Sequence, residues 1–276
     1  MYTVSVVFKP TDGAFKASEE FINLINNAGL RLDSRRSVLE LKAGELDGCD
    51  IVFVFGGDGT ILKTVRMINA TKPLVVGVNF GHLGFLAEVE PERLPSVLEK
   101  ILQGNYEHYE IRRLRGILRT EKRESHTSPP VLNEFHIAPV HPGKVATLKV
   151  VVEDLLMFKG RMDGLLVSTS MGSTAYSLSA GGPIVDPASL VNVVTPIAPI
   201  NIAVRPFVVN GSRRITVVNS DSSVVQIITD GVHWVDLNPG EYLDIETFVD
   251  PIRLLRLKGD FLSKVFEKRV TLERRF

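Results

Sequence analysis

The unbroken apolar run from Ile51 to Phe55 ends on Gly56-Gly57-Asp58-Gly59 and passes at once into the helical pattern TILKTVRMIN. An apolar run with no polar alternation suits a strand buried on both faces, the kind found in a parallel sheet covered by helices. Its neighbours agree. YTVSVVF and PLVVGVNF read as strands, AFKASEEFINLINNAG as a helix ending at Gly29, and PERLPSVLEKILQG as a further helix. Strands alternating with amphipathic helices predict an α/β unit over residues 1–108 with a mostly parallel sheet. In such sheets ligands bind beyond the carboxyl ends of the strands, where Gly56 to Gly59 lie.

From Tyr109 the texture changes. YEIRRLRGILRT, ATLKVVVEDLLMFKGR, RRITVVN, VVQIITDG and EYLDIETF are short β-rich runs punctuated by Gly, Asn, Asp and Pro. That pattern predicts a β-rich, largely antiparallel domain over residues 109–250. The polar stretch TEKRESHTSPP reads as a surface excursion within it, and residues 251–276 turn amphipathic again as a tail.

Composition narrows the classes of function. Lys+Arg 32 balances Asp+Glu 32, so the chain lacks the basic excess that nucleic-acid and membrane-surface partners require. The single cysteine, Cys49, excludes an intramolecular disulfide and a cysteine-built metal site, and it fits a reducing compartment. MYTVSVVFKP reads as a strand rather than a signal peptide, and no apolar run is long enough to span a bilayer. The expectation is a cytoplasmic protein.

Asp58 raises the chemical question. Glycines at a strand end let the backbone approach an oxyanion, and the helix that follows offers unpaired N–H groups and a positive dipole end. A tight turn capped by Asp58 or Thr60 would explain the glycines equally well. The loop is neither a Walker A loop nor a Rossmann fingerprint, since Leu62 stands where a third glycine would be. A carboxylate ~4 Å from a phosphate charge costs roughly 4 kcal/mol at an effective dielectric near 20. That charge becomes useful if Asp58 accepts a proton from a hydroxyl attacking phosphorus, or if a divalent cation lies between. Lys63 and Arg66 follow on the helix, where each reads either as a solvated face or as a reach toward phosphate.

Three further segments stand out. Asn133-Glu134 interrupts the apolar run VLNEFHIAP, as a bulge or as hydrogen-bonding partners for ribose hydroxyls. In RMDGLLVSTSMGSTAYSLSAGGPIVDP, Ser170, Ser173, Thr174, Ser177 and Ser179 crowd around Gly172, Gly181 and Gly182, and Tyr176 offers a flat ring. Small hydroxyl residues are poor core material, so the segment reads either as a Gly/Ser-rich surface loop or, given its flanking apolar strand and ordered AGGPIVDP ending, as a helix turning polar groups toward a ligand, with Arg161 and Asp163 at the entrance of its strand. Asp230-Gly231 reads as a hairpin turn.

With these blocks in order, the chain resembles the NAD kinases. GGDGT at 56–60, Asn133-Glu134, DGLLVSTSMGSTAYSLSAGGPIV at 163–185 and TPIAPINIAVRPFVV at 195–209 carry the resemblance. GGDGT alone is shared with lipid kinases and phosphofructokinases, whereas the long third block is specific. The resemblance implies transfer of the γ-phosphate of ATP, or a phosphate of inorganic polyphosphate, to the 2′-hydroxyl of the adenosine ribose of NAD. It implies a nucleotide-binding α/β domain, a β-rich domain for the dinucleotide, and a tail returning to the first domain. Mg²⁺ or another divalent cation and a homodimeric or homotetrameric assembly are implied as well.

By the same resemblance Asp58 is the proton acceptor, Gly59 adjoins it at the nucleotide and Lys63 belongs to the phosphate site. Asn133 and Glu134 hold the ribose or nicotinamide side, while Lys144, Arg161 and Asp163 are further substrate contacts. Thr174, Ala175, Tyr176, Ser177, Leu178 and Ser179 form the dinucleotide pocket, which Ala198 lines. Many relatives carry glutamine after the late Asp-Gly where this chain has Val232, so no contact is carried over there. NFGHLGFL at 79–86 fits the family's loop after the third strand. Two alternatives remain at this point: a lipid or sugar kinase sharing the glycine loop, and a non-catalytic NAD(P)-binding sensor.

Overall fold

In the computed structural model, which describes residues 1–80, 85–120 and 125–257, the chain divides into two units. One is Met1–Ile111 with the chain from Asp250 onward, the other Arg112–Val249.

The first unit runs β1 (Thr3–Phe8), α1 (Asp12–Asn27), β2 (Arg31–Ser37), β3 (Ile51–Gly56), α2 (Asp58–Val65), β4 (Leu74–Asn79) and α3 (Leu94–Leu102). Its strands lie in the order β2-β1-β3-β4, and every pairing is parallel. The apolar run of β3 is buried throughout because helices cover it. The α1 helix buries Ala14, Ser18, Phe21 and Ile25, a stripe at helical spacing, and Phe21 sets its ring 4.5 Å from Phe53 and 5.5 Å from Phe55. Gly77 in β4 is a close approach. A Cβ there would stand 2.5 Å from Ile61 of α2 and 2.8 Å from the Leu86 carbonyl.

The second unit follows along β5 (Glu107–Arg119), β6 (Ser125–Thr127), β7 (Glu134–Pro139), β8 (Ala146–Val152), β9 (Leu155–Met162) and β10 (Gly164–Thr169). A 3₁₀ turn at Met171–Thr174 and the short α4 (Tyr176–Ser179) come next. Then come β11 (Val191–Ile197), β12 (Phe207–Asn210), β13 (Ile215–Asn219), β14 (Val225–Thr229), β15 (Val232–Leu237) and β16 (Tyr242–Arg256). One antiparallel sheet has the order β12-β11-β10-β7-β14-β15. Facing residues of a second set of antiparallel strands, β9-β8-β13 and the first part of β16, complete the core. Phe135, Ile137, Leu165, Val167 and Val194 from one sheet meet Leu148, Val150, Val217 and Ile245 from the other in a single apolar cluster.

The fold class thus matches the expectation, parallel in the first unit and antiparallel in the second. Two local readings differ. EYLDIETF and IRLLRL, read as separate segments, form the single strand β16, whose Arg253 and Leu254 pair parallel with Leu74 and Val75 of the first unit. Part of the polar stretch at 120–130 is strand β6, paired with β5. Residues 81–84 of the NFGHLGFL loop and the tail from 258 lie outside the described residues. Among the described residues no helix is long and apolar enough to cross a membrane.

Candidate active site

The glycines of the β3–α2 loop divide into two kinds. A Cβ on Gly56 would collide with the Thr60 side chain, so that glycine lets the helix turn back tightly on its strand. Among the described residues, a Cβ on Gly57 or Gly59 would meet nothing within 4 Å, and neither residue has a positive φ. Nothing among the described residues demands glycine at those two positions. Open space in front of the backbone is what a ligand uses.

Asp58 opens α2, and its carboxylate has partners that the sequence did not reveal. Oδ2 accepts the Phe85 N–H at 2.7 Å, and Oδ1 accepts those of Leu86 at 2.9 Å and Ala87 at 3.2 Å. The charge therefore organises the chain at Phe85, Leu86 and Ala87. A carboxylate has about four acceptor positions, and donors among the described residues take three, leaving one for a further donor. Lys63 stands exposed on α2, whereas Arg66 is buried.

In the second unit the site residues gather on one face of the β7–β10–β11 sheet. Its other face is core. Glu134 lies directly opposite Ser168, His136 opposite Leu166, and Leu166 opposite Thr195, so these side chains share a face. The serine-rich segment lies over it. Gly172 packs so closely that a Cβ would overlap the Asn133 backbone. Ser177 shares a 2.8 Å hydrogen bond with Thr195, and the exposed Tyr176 ring meets His136 edge-on at 5.2 Å.

The hydroxyls of that segment mostly bind the segment itself. Ser173 Oγ donates to the Ser170 carbonyl and accepts the Val185 N–H, Ser170 Oγ donates to Pro187, and Thr174 Oγ1 donates to Met171. The helix expected here is a 3₁₀ turn followed by a four-residue helix, stitched by those bonds. Tyr176 and Ser179 remain exposed, and Ala175 and Leu178 are half-buried.

Asp230 closes the arrangement. At φ 47°, followed by Gly231 at φ 77°, it makes the β14–β15 hairpin turn that its sequence indicated. Its carboxylate also accepts the N–H groups of Leu132 at 2.9 Å, Asn133 at 2.7 Å and Glu134 at 3.3 Å. Burial, with the Asp230 charge adding to it, pushes the Glu134 carboxyl up to about 8, although the Tyr176 amide pulls the other way. Burial also lowers His136 below the usual imidazole value.

The structure therefore brings Asn133, Glu134 and Thr174 to Ser179 together, and adds His136, Ser168, Thr195 and Asp230. Arg161, Asp163 and Ala198 form a second group. The Asp163 N–H bonds to the Ile197 carbonyl, the Arg161 carbonyl accepts from Ile200, and Ala198 holds φ 44° beside them. Arg161, Asp163 and Ala198 are all exposed. Lys144 is exposed in the turn between β7 and β8, and its N–H reaches the His141 carbonyl at 3.4 Å.

Comparison with known proteins fits this geometry. Residues 11–106 match the ATP-NAD kinase N-terminal domain and residues 132–257 the ATP-NAD kinase C-terminal domain. The NAD kinase of Thermococcus kodakarensis is 41% identical over 216 residues, 78% of this chain and 76% of that protein. The NAD kinase of Methanoregula boonei is 36% identical over 220 residues, 79% of this chain and 78% of its own length. An Archaeoglobus fulgidus NAD kinase solved in complex with ATP superposes with a TM-score of 0.78 at 25% identity, covering 99% of both chains. A yeast NADH kinase solved with NADH shares the fold at a TM-score of 0.89 and 22% identity, over 100% of this chain and 89% of that one. Two domain matches that take in both the Asp58 loop and the polar face around Glu134 place this chain in the NAD kinase family of phosphotransferases.

Proposed function

We propose that the chain phosphorylates NAD on the 2′-hydroxyl of its adenosine ribose, forming NADP, with ATP or inorganic polyphosphate as donor. The observation that carries this reading is the Asp58 carboxylate, fixed by three amides at the head of α2 with one acceptor position left over, in a chain of this family. Asp58 takes the hydroxyl proton as the ribose oxygen bonds to the terminal phosphorus. The bond from that phosphorus to the bridging oxygen breaks, and ADP or the shortened polyphosphate leaves with the electron pair. Gly57 and Gly59 give the donor phosphates room at the helix N-terminus, and the exposed Lys63 adds positive charge. Asn133, Glu134 and the Thr174 to Ser179 segment hold the dinucleotide, with Arg161, Asp163, Lys144 and Ala198 as outer contacts. A cytoplasmic location and assembly as a homodimer or homotetramer belong to the same reading.

Among the described residues no group of three or more His, Cys, Asp or Glu converges into a metal cage. That fits Mg²⁺ held mainly by donor phosphate oxygens and water, the usual arrangement for this ion in phosphoryl transfer. Bound there, it would neutralise charge developing on the phosphates. Chelation with EDTA is expected to cut turnover at least about 10²-fold, since such charge stabilisation is worth several kcal/mol. The thermal midpoint of the protein alone should stay in place, because no protein-built cage is emptied; a large drop on chelation would count against this account.

The direct test is NADP formation from NAD, offered ATP or polyphosphate in turn, with and without Mg²⁺. No NADP from either donor would sink the reading, and the ratio of the two rates assigns the donor.

A further inference from the structure

Glu134 is only 7% exposed, and among the described residues its Oε2 has no hydrogen-bond partner. Directly across the β7–β10 pairing, Ser168 is wholly buried, and its Oγ is likewise without a partner. Buried polar atoms left open cost about 1–3 kcal/mol each, so two on opposed residues mark a place that a polar group of a ligand, or a water, would complete. The surrounding groups say what charge Glu134 carries when it meets one. Asp230, from the β14–β15 turn, sets a second carboxylate against the Glu134 amide. His136, two residues along β7, is pushed by burial toward its neutral form. Tyr176 of α4 turns its backbone N–H toward the carboxyl, and its phenol ring meets His136 edge-on. Among the described residues no Lys, Arg or His forms an ion pair with Glu134.

We infer that Glu134 meets the dinucleotide as an uncharged carboxylic acid, donating a hydrogen bond from its buried carboxyl to an acceptor atom of the ligand. Dinucleotide affinity is then coupled to the protonation of this one side chain. The inference rests on the functional reading above and assigns to that site a charge state and a direction of hydrogen bonding. Burial and the neighbouring carboxylate, which raise the carboxyl to about 8, act in the same sense. Below that value the donor is present. Above it, binding must first return a proton to the carboxyl, so affinity falls as pH rises. NAD has no group of its own that titrates in this range. Glutamine replaces the acid O–H by an amide N–H donor that pH does not remove, whereas alanine has no donor.

The test is calorimetric titration of NAD into the full chain, the Glu134→Gln variant and the Glu134→Ala variant, between about pH 7 and pH 9, in two buffers of different ionisation enthalpy. For the wild-type chain Kd should rise roughly tenfold across that range, with close to one proton taken up per NAD bound at the upper end. Glu134→Gln should bind like wild type at the lower pH, stay flat and take up no proton. Glu134→Ala should bind weakly throughout. Wild-type affinity that holds or strengthens with pH, or a Gln variant as weak as the Ala variant, would overturn the inference and assign the ionised carboxylate instead. Assays of NADP formation on the same wild-type sample keep the two readings apart. An inactive chain overturns the functional reading and this inference with it, while an active chain with a pH-indifferent Kd overturns this inference alone.

Discussion

Replacing Gly172 with alanine is expected to destabilise the protein by about 3 kcal/mol, the upper end for over-packing, and to abolish NAD binding. The new methyl would overlap the carbonyl oxygen of Asn133, with its carbonyl carbon 2.5 Å and its Cα 2.6 Å away. Overlap is tolerated where one partner can retreat, and here neither can. The Asn133 N–H is fixed to Asp230 at 2.7 Å, and its carbonyl accepts the Thr169 N–H at 2.9 Å. On the other side, the Gly172 N–H is tied to Thr169 Oγ1 at 2.9 Å, and that hydroxyl donates to the Leu132 carbonyl at 2.6 Å. Relief therefore requires breaking this network, moving the serine-rich segment off its sheet, or both. Since Asn133 and Glu134 sit at that contact, the displacement passes straight to the proposed dinucleotide face. Urea unfolding with an unchanged m-value, together with NAD titration, measures both effects. A variant within about 0.5 kcal/mol of wild type would show the segment to be looser than its bonds imply. Gly57→Ala and Gly59→Ala are the controls. Among the described residues their Cβ atoms meet nothing within 4 Å, and neither has a positive φ, so their stability should hold within about 0.5 kcal/mol, and any loss of turnover reports on ligand approach.

These glycines also show how far the chain could be read from its letters. The GGDGT loop announced a strand ending on a helix, and β3 and α2 lie there. Which glycine serves the fold and which the open space could not be read, because the difference is set by where Thr60 turns its side chain in three dimensions. The parallel sheet was legible because burial on both faces leaves a continuous apolar run. Strand β16 was not, since Asp250 and Pro251 break its pattern midway and the strand passes from one set of partners to another. Asp230 was legible as a turn, because an Asp-Gly pair is a local signal. Its grip on the amides of residues 132–134, across nearly a hundred residues of chain, leaves no trace in local pattern. His136 and Ser168 were hidden for a related reason. Each belongs to an apolar strand, and only the sheet register puts them on the face with Glu134. The hydroxyls of the serine-rich segment were legible as unusual, but part of what they serve is the segment's own shape.

Asp58→Asn is expected to lower kcat by about 10²–10⁴ with little change in the KM for NAD, the loss that removal of a positioned proton acceptor produces. The hydrogen bonds of the carboxylate make this a demanding variant to interpret, because the side chain has two tasks. As an anchor it accepts the N–H groups of Phe85, Leu86 and Ala87. Asparagine retains one carbonyl oxygen, which can serve Leu86 and Ala87 in place of Oδ1, but it turns an NH₂ donor toward the Phe85 N–H that Oδ2 accepted at 2.7 Å. Losing that one bond costs about 1–3 kcal/mol of local stability, which chemical denaturation would detect. As a proton acceptor, the side chain acts on the hydroxyl only while the phosphoryl group is in flight. The two tasks separate in the kinetics. A loosened anchor lets the chain around Phe85 drift and weakens binding, so it raises KM and leaves kcat largely intact at saturation. A missing acceptor lowers kcat at every NAD concentration and leaves the titrated Kd for NAD near the wild-type value. A folded Asp58→Asn protein with near-normal kcat at saturating NAD would assign Asp58 to the anchor alone, and the charge beside the glycines would then serve the shape of the loop and not the transfer of the proton.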